Sequence, residues 1–198
     1  MPPTATVPEP PTRRQFTVDE YYRMGEAGVF DEDDRVELLD GHIYALSPIG
    51  SEHASCVDRL TRLFVLRAGT DAIVRVQNPV RLADDSEPEP DLALLRPRED
   101  AYTSEHPGPE DVMLIVEVAD TSLAFDRNVE LPLYAEAGIP EVWLVDMASG
   151  EIHAYRHPEA DRYAEHETVG PGETVRVTEL PSLSPVSTDE ILGEQRPE

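Results

Sequence analysis

Two acidic residues on apolar strands are the strongest chemical feature of the sequence. Asp91 begins the run Asp91–Leu95, and Glu117 lies inside the run Val112–Val118; both runs have the composition of buried strands. A bare charge on a buried strand is costly, so two such acids suggest a compensating group. Hard dications such as Mg2+ are bound by one or two carboxylates and keep several waters. The pair therefore predicts a metal site that activates water for attack on a phosphate; strand-end or salt-bridged acids are the alternative.

Gln77 is a candidate companion of this pair. It lies in Ala72–Leu82, where apolar and polar residues alternate as in a half-buried strand, and it shares the polar face with Arg75 and Arg81. These side chains could approach a phosphate or orient a water molecule. A solvated strand face explains the same pattern equally well.

His53 and Glu37 are weaker candidates. His53 is near the start of a predicted helix over Ser51–Ala68, where it could act in catalysis or serve as a hydrogen-bonding residue at the helix end. Glu37 faces away from the apolar side of its predicted strand. It could approach the site as an outer acid, or it could pair with Arg35 or another arginine.

The elements that must position these residues give an α/β (α+β) fold. From Ser51 onward the order is helix, strand, strand, strand, helix, strand, which indicates a central mixed sheet preceded by a helix and hairpin and followed by a C-terminal antiparallel meander. The predicted elements are a capped helix from Thr17 to about Gly28, a hairpin of Val36–Leu39 and His42–Leu46, the helix Ser51–Ala68, strands Ala72–Leu82, Asp91–Leu95 and Val112–Val118, a helix within Asp126–Ala137, a strand Glu141–Asp146, and a meander of Glu151–Tyr155 and Arg162–His166.

The length of 198 residues suits one domain, which we place at residues 16–192. Residues 1–15 contain five prolines and are predicted to form a disordered arm, with residues 193–198 as a tail. The chain has no run of about 18 apolar residues and a single cysteine, Cys56, which predicts no membrane segment and a cytoplasmic location.

The charge balance is strongly acidic. The formal net charge is -25 and the pI is near 4.4, and all 16 basic residues are arginine. Such a chain repels nucleic acid on average, so the net charge disfavours DNA as a partner, and any DNA binding needs a local basic patch. The acidic runs Asp31–Asp34 and Glu87–Glu89 are expected on the solvated surface.

A series of motifs, in order from Phe16 to Leu192, resembles the Uma-two (Uma2) family, which belongs to the PD-(D/E)XK or restriction-endonuclease-like superfamily. The superfamily core has the same helix, three strands, helix, strand order. The motifs are Glu37-Leu38-Leu39-Asp40-Gly41, Ser47-Pro48 with His53, Gln77-Asn78-Pro79-Val80, Glu87-Pro88-Glu89-Pro90-Asp91, Val116-Glu117-Val118 with Asp120–Leu123, and Leu133–Asp146.

The resemblance implies a Mg2+- or Mn2+-dependent DNA endonuclease that forms a homodimer. It implies that Asp91 and Glu117 bind the metal, with the backbone carbonyl of Val118 as a third ligand. The superfamily lysine normally stands two residues after the second acid, where this chain has Ala119. The family often moves that lysine to the next helix, where this chain has Glu130.

Because Glu130 stands where the family has a lysine, the charge at this position is reversed and the function is left open. A glutamate could act as a base or a further metal ligand but would repel phosphate, and Arg127 could supply charge but could not accept a proton. The first hypothesis is an endonuclease weakened by Glu130. The alternatives are a catalytically silent, metal-binding dimeric relative acting as an interaction module, and a hydrolase of a small phosphorylated substrate.

Overall fold

The computed structural model describes residues 13–31 and 33–193, so most of the predicted arm and tail lies outside the described residues. Its main sheet has six strands, from Ile73–Val76 to Arg162–Val169, which lie side by side in the order in which they follow one another along the chain. The helices are α1 (Val18–Glu26), α2 (Ser51–Ala68), α3 (Leu123–Phe125), α4 (Leu131–Glu136) and α5 (Thr188–Leu192); the strands are β1 (Val36–Leu39), β2 (His42–Ala45), β3 (Ile73–Val76), β4 (Leu92–Leu95), β5 (Val112–Ala119), β6 (Glu141–Asp146), β7 (Glu151–Glu159), β8 (Arg162–Val169), β9 (Thr174–Val175) and β10 (Val186–Ser187).

Two hydrophobic cores cover the two faces of this sheet. Because neighbouring residues of a strand point to opposite faces, Leu94 and Val116 join the core that contains α2, while Ile115 and Leu144 join the core that contains α4. Strands β4 and β5 are antiparallel, and β5 and β6 are parallel. The predicted core order and mixed sheet are confirmed. Glu117 lies on the α4 face, two residues after Ile115.

Local sequence chemistry accounts for the N-terminal helix and hairpin. Thr17 accepts a hydrogen bond from the Glu20 amide, and Glu20 caps in return, so the predicted capping box forms. Asp40 and Gly41 have positive φ angles of 47° and 70°, which a tight hairpin turn requires. Both predictions are confirmed, and the hairpin stands at the edge of the cavity described below.

The strand predicted for Ala72–Leu82 is much shorter than expected. Strand β3 ends at Val76, because Gln77 takes a left-handed backbone with φ of 48° and Pro79 follows soon after. Alternation continued through Val80 and Leu82, but those residues pack into the α4-side core outside any strand. The bend at Gln77 turns its amide away from a regular strand face.

The helical segment after β5 starts earlier than the predicted range Asp126–Ala137. It begins with α3, continues through a π-helical turn at Asp126–Glu130, and passes into α4. Pro132 lacks the amide hydrogen for an α-helical bond to Asn128, and its ring crowds that carbonyl. The π-helical turn just before Pro132 is wider than an α-helical turn, and in it the Leu131 amide donates to the carbonyl of Asp126, five residues earlier. Such turns recur at functional sites, and this one carries Asp126 and Glu130.

A buried ion pair ties the far edge of the sheet together. Glu141 is fully buried; its Oε1 accepts from Arg156 Nε at 2.9 Å and from Trp143 Nε1 at 2.7 Å, and its Oε2 accepts from the Thr178 amide at 2.7 Å. We expect Glu141→Ala to lower the free energy of unfolding by about 3 kcal/mol or more, because it leaves a buried guanidinium and two donors without their acceptor.

Urea denaturation would measure this effect. The matched control is Glu165→Ala, which removes the half-exposed partner 3.1 Å from Arg156 Nη1 and is expected to cost about 1 kcal/mol or less. Equal losses for the two variants would contradict the assignment of Glu141 as the buried anchor.

Within residues 13–31 and 33–193, the structure contains no helix with the length and apolar character needed to span a membrane.

Candidate functional site

A cavity of about 380 Å³ opens where β4 begins and β5 ends. The hairpin β1–β2, the start of α2 and the segment from Asp120 to Glu130 enclose it. Asp91 and Glu117 both line it, and so do Gln77, His53, Glu37 and Glu130. The structure therefore brings these six candidates together in one cavity.

Asp91 is held by three neighbouring groups. Its Oδ2 accepts from the Val118 amide at 2.9 Å and lies 2.9 Å from His53 Nε2, while its Oδ1 accepts from Gln77 Nε2 at 3.1 Å. The hydrogen bond to Asp91 raises the pKa of His53. The left-handed backbone of Gln77 places its amide in this network. These contacts fix the orientation of the Asp91 carboxylate.

Glu117 lies directly beside Asp91 and is more deeply buried. Only 6% of Glu117 is exposed; its Oε2 accepts from the Asp91 amide at 3.2 Å and its Oε1 accepts from the Tyr134 hydroxyl at 2.6 Å. Burial, then the charges of Glu130 and Asp91, raise the pKa of Glu117 well above its ordinary value. A carboxylate in this position favours either a proton or a cation.

Glu130 adds a third buried acid from the π-helical turn. Burial, and after it the charges of Glu37 and Asp126, raise the pKa of Glu130 well above the ordinary value. Asp126 sits one turn earlier, is buried, and accepts from the Ser122 hydroxyl at 2.9 Å. The expected lysine position therefore does face the cavity, but with the opposite charge.

Glu37 completes the acidic wall. It is 2% exposed, its Oε2 accepts from the Glu89 amide at 3.3 Å, and its Oε1 is buried with no hydrogen-bond partner among the described residues. Burial raises the pKa of Glu37 to about 7. No ion pair joins Glu37 to Arg35 or to another arginine within the described part of the chain, so the geometry agrees with an outer acid of the site.

These features fit a hard divalent cation. A cluster of desolvated carboxylates, with one oxygen unsatisfied, is stabilised by positive charge. Among the described residues, no three His, Cys, Asp or Glu side chains converge as a complete ligand set. The arrangement suits two carboxylates plus waters. The Val118 amide donates to Asp91, whereas the role of the Val118 carbonyl as a ligand stays a prediction.

The arginines suggested from the sequence lie outside this cavity. Arg75 contacts His106, with Nη2 3.0 Å from Nδ1, and Arg81 reaches Asp84 at 3.5 Å. Arg127 is exposed. Its charge acts on His153 and His166 instead of on the cavity: burial lowers the pKa values of both histidines, and Arg127 lowers them further. Arg35 is the arginine that lines the cavity.

The acidic run Glu87–Glu89 is not a solvated surface, contrary to expectation. Glu87 is buried and accepts from the Tyr22 hydroxyl at 2.6 Å, and Glu89 is half-buried and lines the cavity. The run follows the hairpin, since the Glu87 amide donates to the Leu38 carbonyl at 2.7 Å. This hydrogen bond places the segment that leads to Asp91 beside the hairpin.

Sequence reasoning missed Tyr134, Asp126 and Arg35. Tyr134 has a detectable signal, because it falls within the predicted helix Asp126–Ala137 and a buried tyrosine hydroxyl needs a partner. Asp126 and Glu130 are four residues apart, a spacing that places two acids on one helix face. Arg35 immediately precedes β1 and gives no comparable signal.

Comparison with known proteins identifies the family. The Uma2 family, described as "Putative restriction endonuclease", matches residues 18–188. A crystal structure of a putative nuclease belonging to DUF820 from Anabaena variabilis has a TM-score of 0.67 with this structure at 15% sequence identity, covering 89% of this chain and 97% of that one. No curated protein matches the chain. The structural likeness confirms the predicted fold class. Since the family match spans most of the sequence, the chain belongs to the Uma2 family.

Proposed function

We propose that this protein is a Mg2+-dependent endonuclease that hydrolyses phosphodiester bonds with a metal-activated water. The observation that carries the proposal is the convergence of Asp91 and Glu117 in one cavity, with the Asp91 amide donating to Glu117 at 3.2 Å. These two carboxylates would hold the ion. Membership of a family described as "Putative restriction endonuclease" supports the same reaction.

A bound Mg2+ or Mn2+ would polarise the phosphate and make the attacking water more acidic. The surrounding residues keep the two acids in place. His53, Gln77 and the Val118 amide fix both oxygens of Asp91, and Tyr134 fixes Glu117. Because these partners are themselves buried or half-buried, little reorganisation is needed when substrate binds.

Glu130 is assigned the proton-accepting role that the missing lysine leaves open. Burial raises the pKa of Glu130 well above its ordinary value, so the deprotonated Glu130 carboxylate is a stronger base than an ordinary glutamate. Its negative charge also repels the phosphate that it must approach. Glu130 therefore supports a nuclease that is slower than a lysine-containing relative.

A second candidate function follows from the size and charge of the cavity. A space of about 380 Å³, which the described part of the chain lines with several acids and one arginine, suits a small phosphorylated molecule better than a long polyanion. Release of phosphate from a small phosphomonoester, without any nicking of DNA, would favour this alternative.

The deciding experiment is a plasmid-nicking assay in Mg2+ and in Mn2+. Wild type is expected to nick supercoiled DNA slowly, and Glu130→Lys to raise the rate about tenfold or more by replacing repulsion with attraction. The matched control is Glu136→Lys, which makes the same charge change at an exposed position of α4 and should leave the rate within about twofold.

The possible results of this assay distinguish an active endonuclease from a catalytically silent relative. Nicking by the wild type that needs the metal supports the endonuclease. An inactive wild type with an active Glu130→Lys variant indicates a catalytically silent relative. Absence of nicking in both proteins overturns the endonuclease proposal.

Homodimerisation, which the family resemblance implies, is part of the same proposal. Light scattering coupled to size-exclusion chromatography should give twice the 22.0 kDa chain mass. A monomer mass at all protein concentrations would contradict it.

A further inference from the structure

Among the described residues that line the cavity, Arg35 is the one arginine, and most of the other ionisable residues there are acids. It lies just before β1, is half-buried, and lines the cavity that contains Asp91 and Glu117. It makes no ion pair with any residue in the described ranges 13–31 and 33–193, so its guanidinium donors are not engaged by the acids around it. Burial raises the pKa of Glu89, and Arg35 opposes this shift, which places its charge within reach of the cavity.

An aromatic pair lines the same cavity. Tyr44 of β2 and Phe125 of α3 meet edge to face, with ring centroids 5.2 Å apart and an interplanar angle of 63°. Both rings are half-buried, and the neighbouring Ile49 is 42% exposed. The cavity therefore combines acids, one guanidinium and apolar surface that accepts a flat ring.

We propose that Arg35 and the Tyr44–Phe125 pair form a binding site for one unpaired nucleotide of a single-stranded DNA segment. Arg35 binds the phosphate of that nucleotide, and the aromatic pair contacts its base. This inference rests on the proposed nuclease function and names its substrate form, an unpaired DNA segment such as negative supercoiling opens in the plasmid of the nicking assay.

The charge balance favours a single strand over a duplex. Duplex binding draws its affinity from several lysines and arginines that neutralise phosphates on both strands. This chain has a net charge of -25, and its described residues place one arginine at the cavity. An unpaired nucleotide presents one phosphate and a free base face. Base-to-aromatic stacking adds affinity without further positive charge and tolerates any sequence.

Fluorescence anisotropy tests this proposal independently of catalysis. The probe is a fluorescein-labelled DNA oligonucleotide of mixed sequence, used as a single strand and as a duplex, in Ca2+ buffer. Wild type is expected to bind the single strand at least about tenfold more tightly than the duplex. Arg35→Ala should weaken single-strand binding about tenfold or more, and Arg35→Lys should recover part of the loss by restoring charge without the planar fork.

The controls separate the cavity from general charge effects. Arg127→Ala removes an exposed arginine outside the cavity and should leave binding unchanged. Phe125→Leu keeps apolar volume but removes the ring, and should weaken single-strand binding about fivefold or more. Circular dichroism and thermal melting establish that each variant is folded.

Each result bears on the inference. Equal affinity for single strand and duplex, unchanged affinity in Arg35→Ala, or absence of binding by wild type would overturn it. Wild-type nicking that persists in any of these cases leaves the proposed nuclease standing. Arg35-dependent binding of the single strand, without nicking by the wild type, supports the binding site and removes the nuclease.

Discussion

Asp91→Asn and Glu117→Gln are each expected to reduce metal-dependent nicking about a thousandfold or more. Such a loss corresponds to about 4 kcal/mol of transition-state stabilisation, within the range that a catalytic metal contributes. Both changes keep the side-chain volume and remove the negative charge, so they act on cation binding rather than on packing. Initial rates of plasmid nicking in Mg2+ and Mn2+ would measure the effect.

A direct measure of metal binding makes this prediction sharper. Isothermal titration calorimetry should show that wild type binds Mn2+ and that both variants lose most of the affinity. Asp161→Asn is the matched control, because Asp161 is exposed in the β7–β8 turn, and it should retain wild-type rate and affinity. Wild-type nicking by the Asp91→Asn variant would contradict the assignment of Asp91 as a metal ligand.

Unfolding does not offer an alternative explanation for such losses at Glu117. This residue is nearly fully buried and its charge is opposed by burial and by Glu130. A neutral glutamine keeps an acceptor for Tyr134 and removes the repulsion but loses the acceptor for the Asp91 amide, so the variant should be about as stable as wild type near neutral pH. Loss of activity with retained stability is the pattern of a functional residue under local strain.

The parts of the fold that the sequence predicted well are those set by local chemistry. The Thr17–Glu20 capping box and the Asp40–Gly41 turn each depend on residues within four positions of one another. The buried strands β4 and β5 were predicted from continuous apolar runs. The predicted strand Ala72–Leu82 was too long, since the alternation through Leu82 reflects burial, whereas β3 itself ends where Gln77 takes a left-handed backbone.

The site shows the same division. The positions of Asp91 and Glu117 followed from apolar strands and from the family motifs, and the structure places both in one cavity. The contact of Tyr134 with Glu117 depends on how α4 crosses the sheet, which the sequence pattern does not specify. Arg127 was suggested from the sequence as a source of positive charge, but the π-helical turn directs Asp126 and Glu130 inward and leaves Arg127 exposed.

The metal-free protein is expected to lose stability as the pH rises from about 5 to about 8. Burial raises the pKa of Glu37 to about 7 and raises those of Glu117 and Glu130 well above their ordinary values. In the unfolded chain these acids lose their protons near pH 4.5, so between the two pKa values the folded state binds more protons than the unfolded state. Stability is then full below the unfolded pKa and falls as the pH passes through the folded pKa.

The size of this loss is set by the free energy of keeping a buried carboxylate charged. For Glu37, the shift from 4.5 to about 7 corresponds to about 3 kcal/mol. Urea denaturation in EDTA at about pH 5 and about pH 8 would measure the difference. Added Mg2+ should restore stability at the higher pH, because it binds only the folded site and replaces the protons.

Two neutral variants separate the cavity acids from the general effect of 41 acidic residues repelling one another. Glu130→Gln and Glu37→Gln should stabilise the metal-free protein at about pH 8 and have little effect at about pH 5, because at the lower pH the native carboxyls already carry protons. Asp161→Asn removes one charge at the exposed β7–β8 turn and should change neither value. A fall in stability with pH that survives in both glutamine variants, or that Mg2+ leaves unchanged, would assign it to overall charge repulsion instead of to the cavity. If the fall disappears in the glutamine variants and in Mg2+, the repulsion among these buried acids is what the metal relieves.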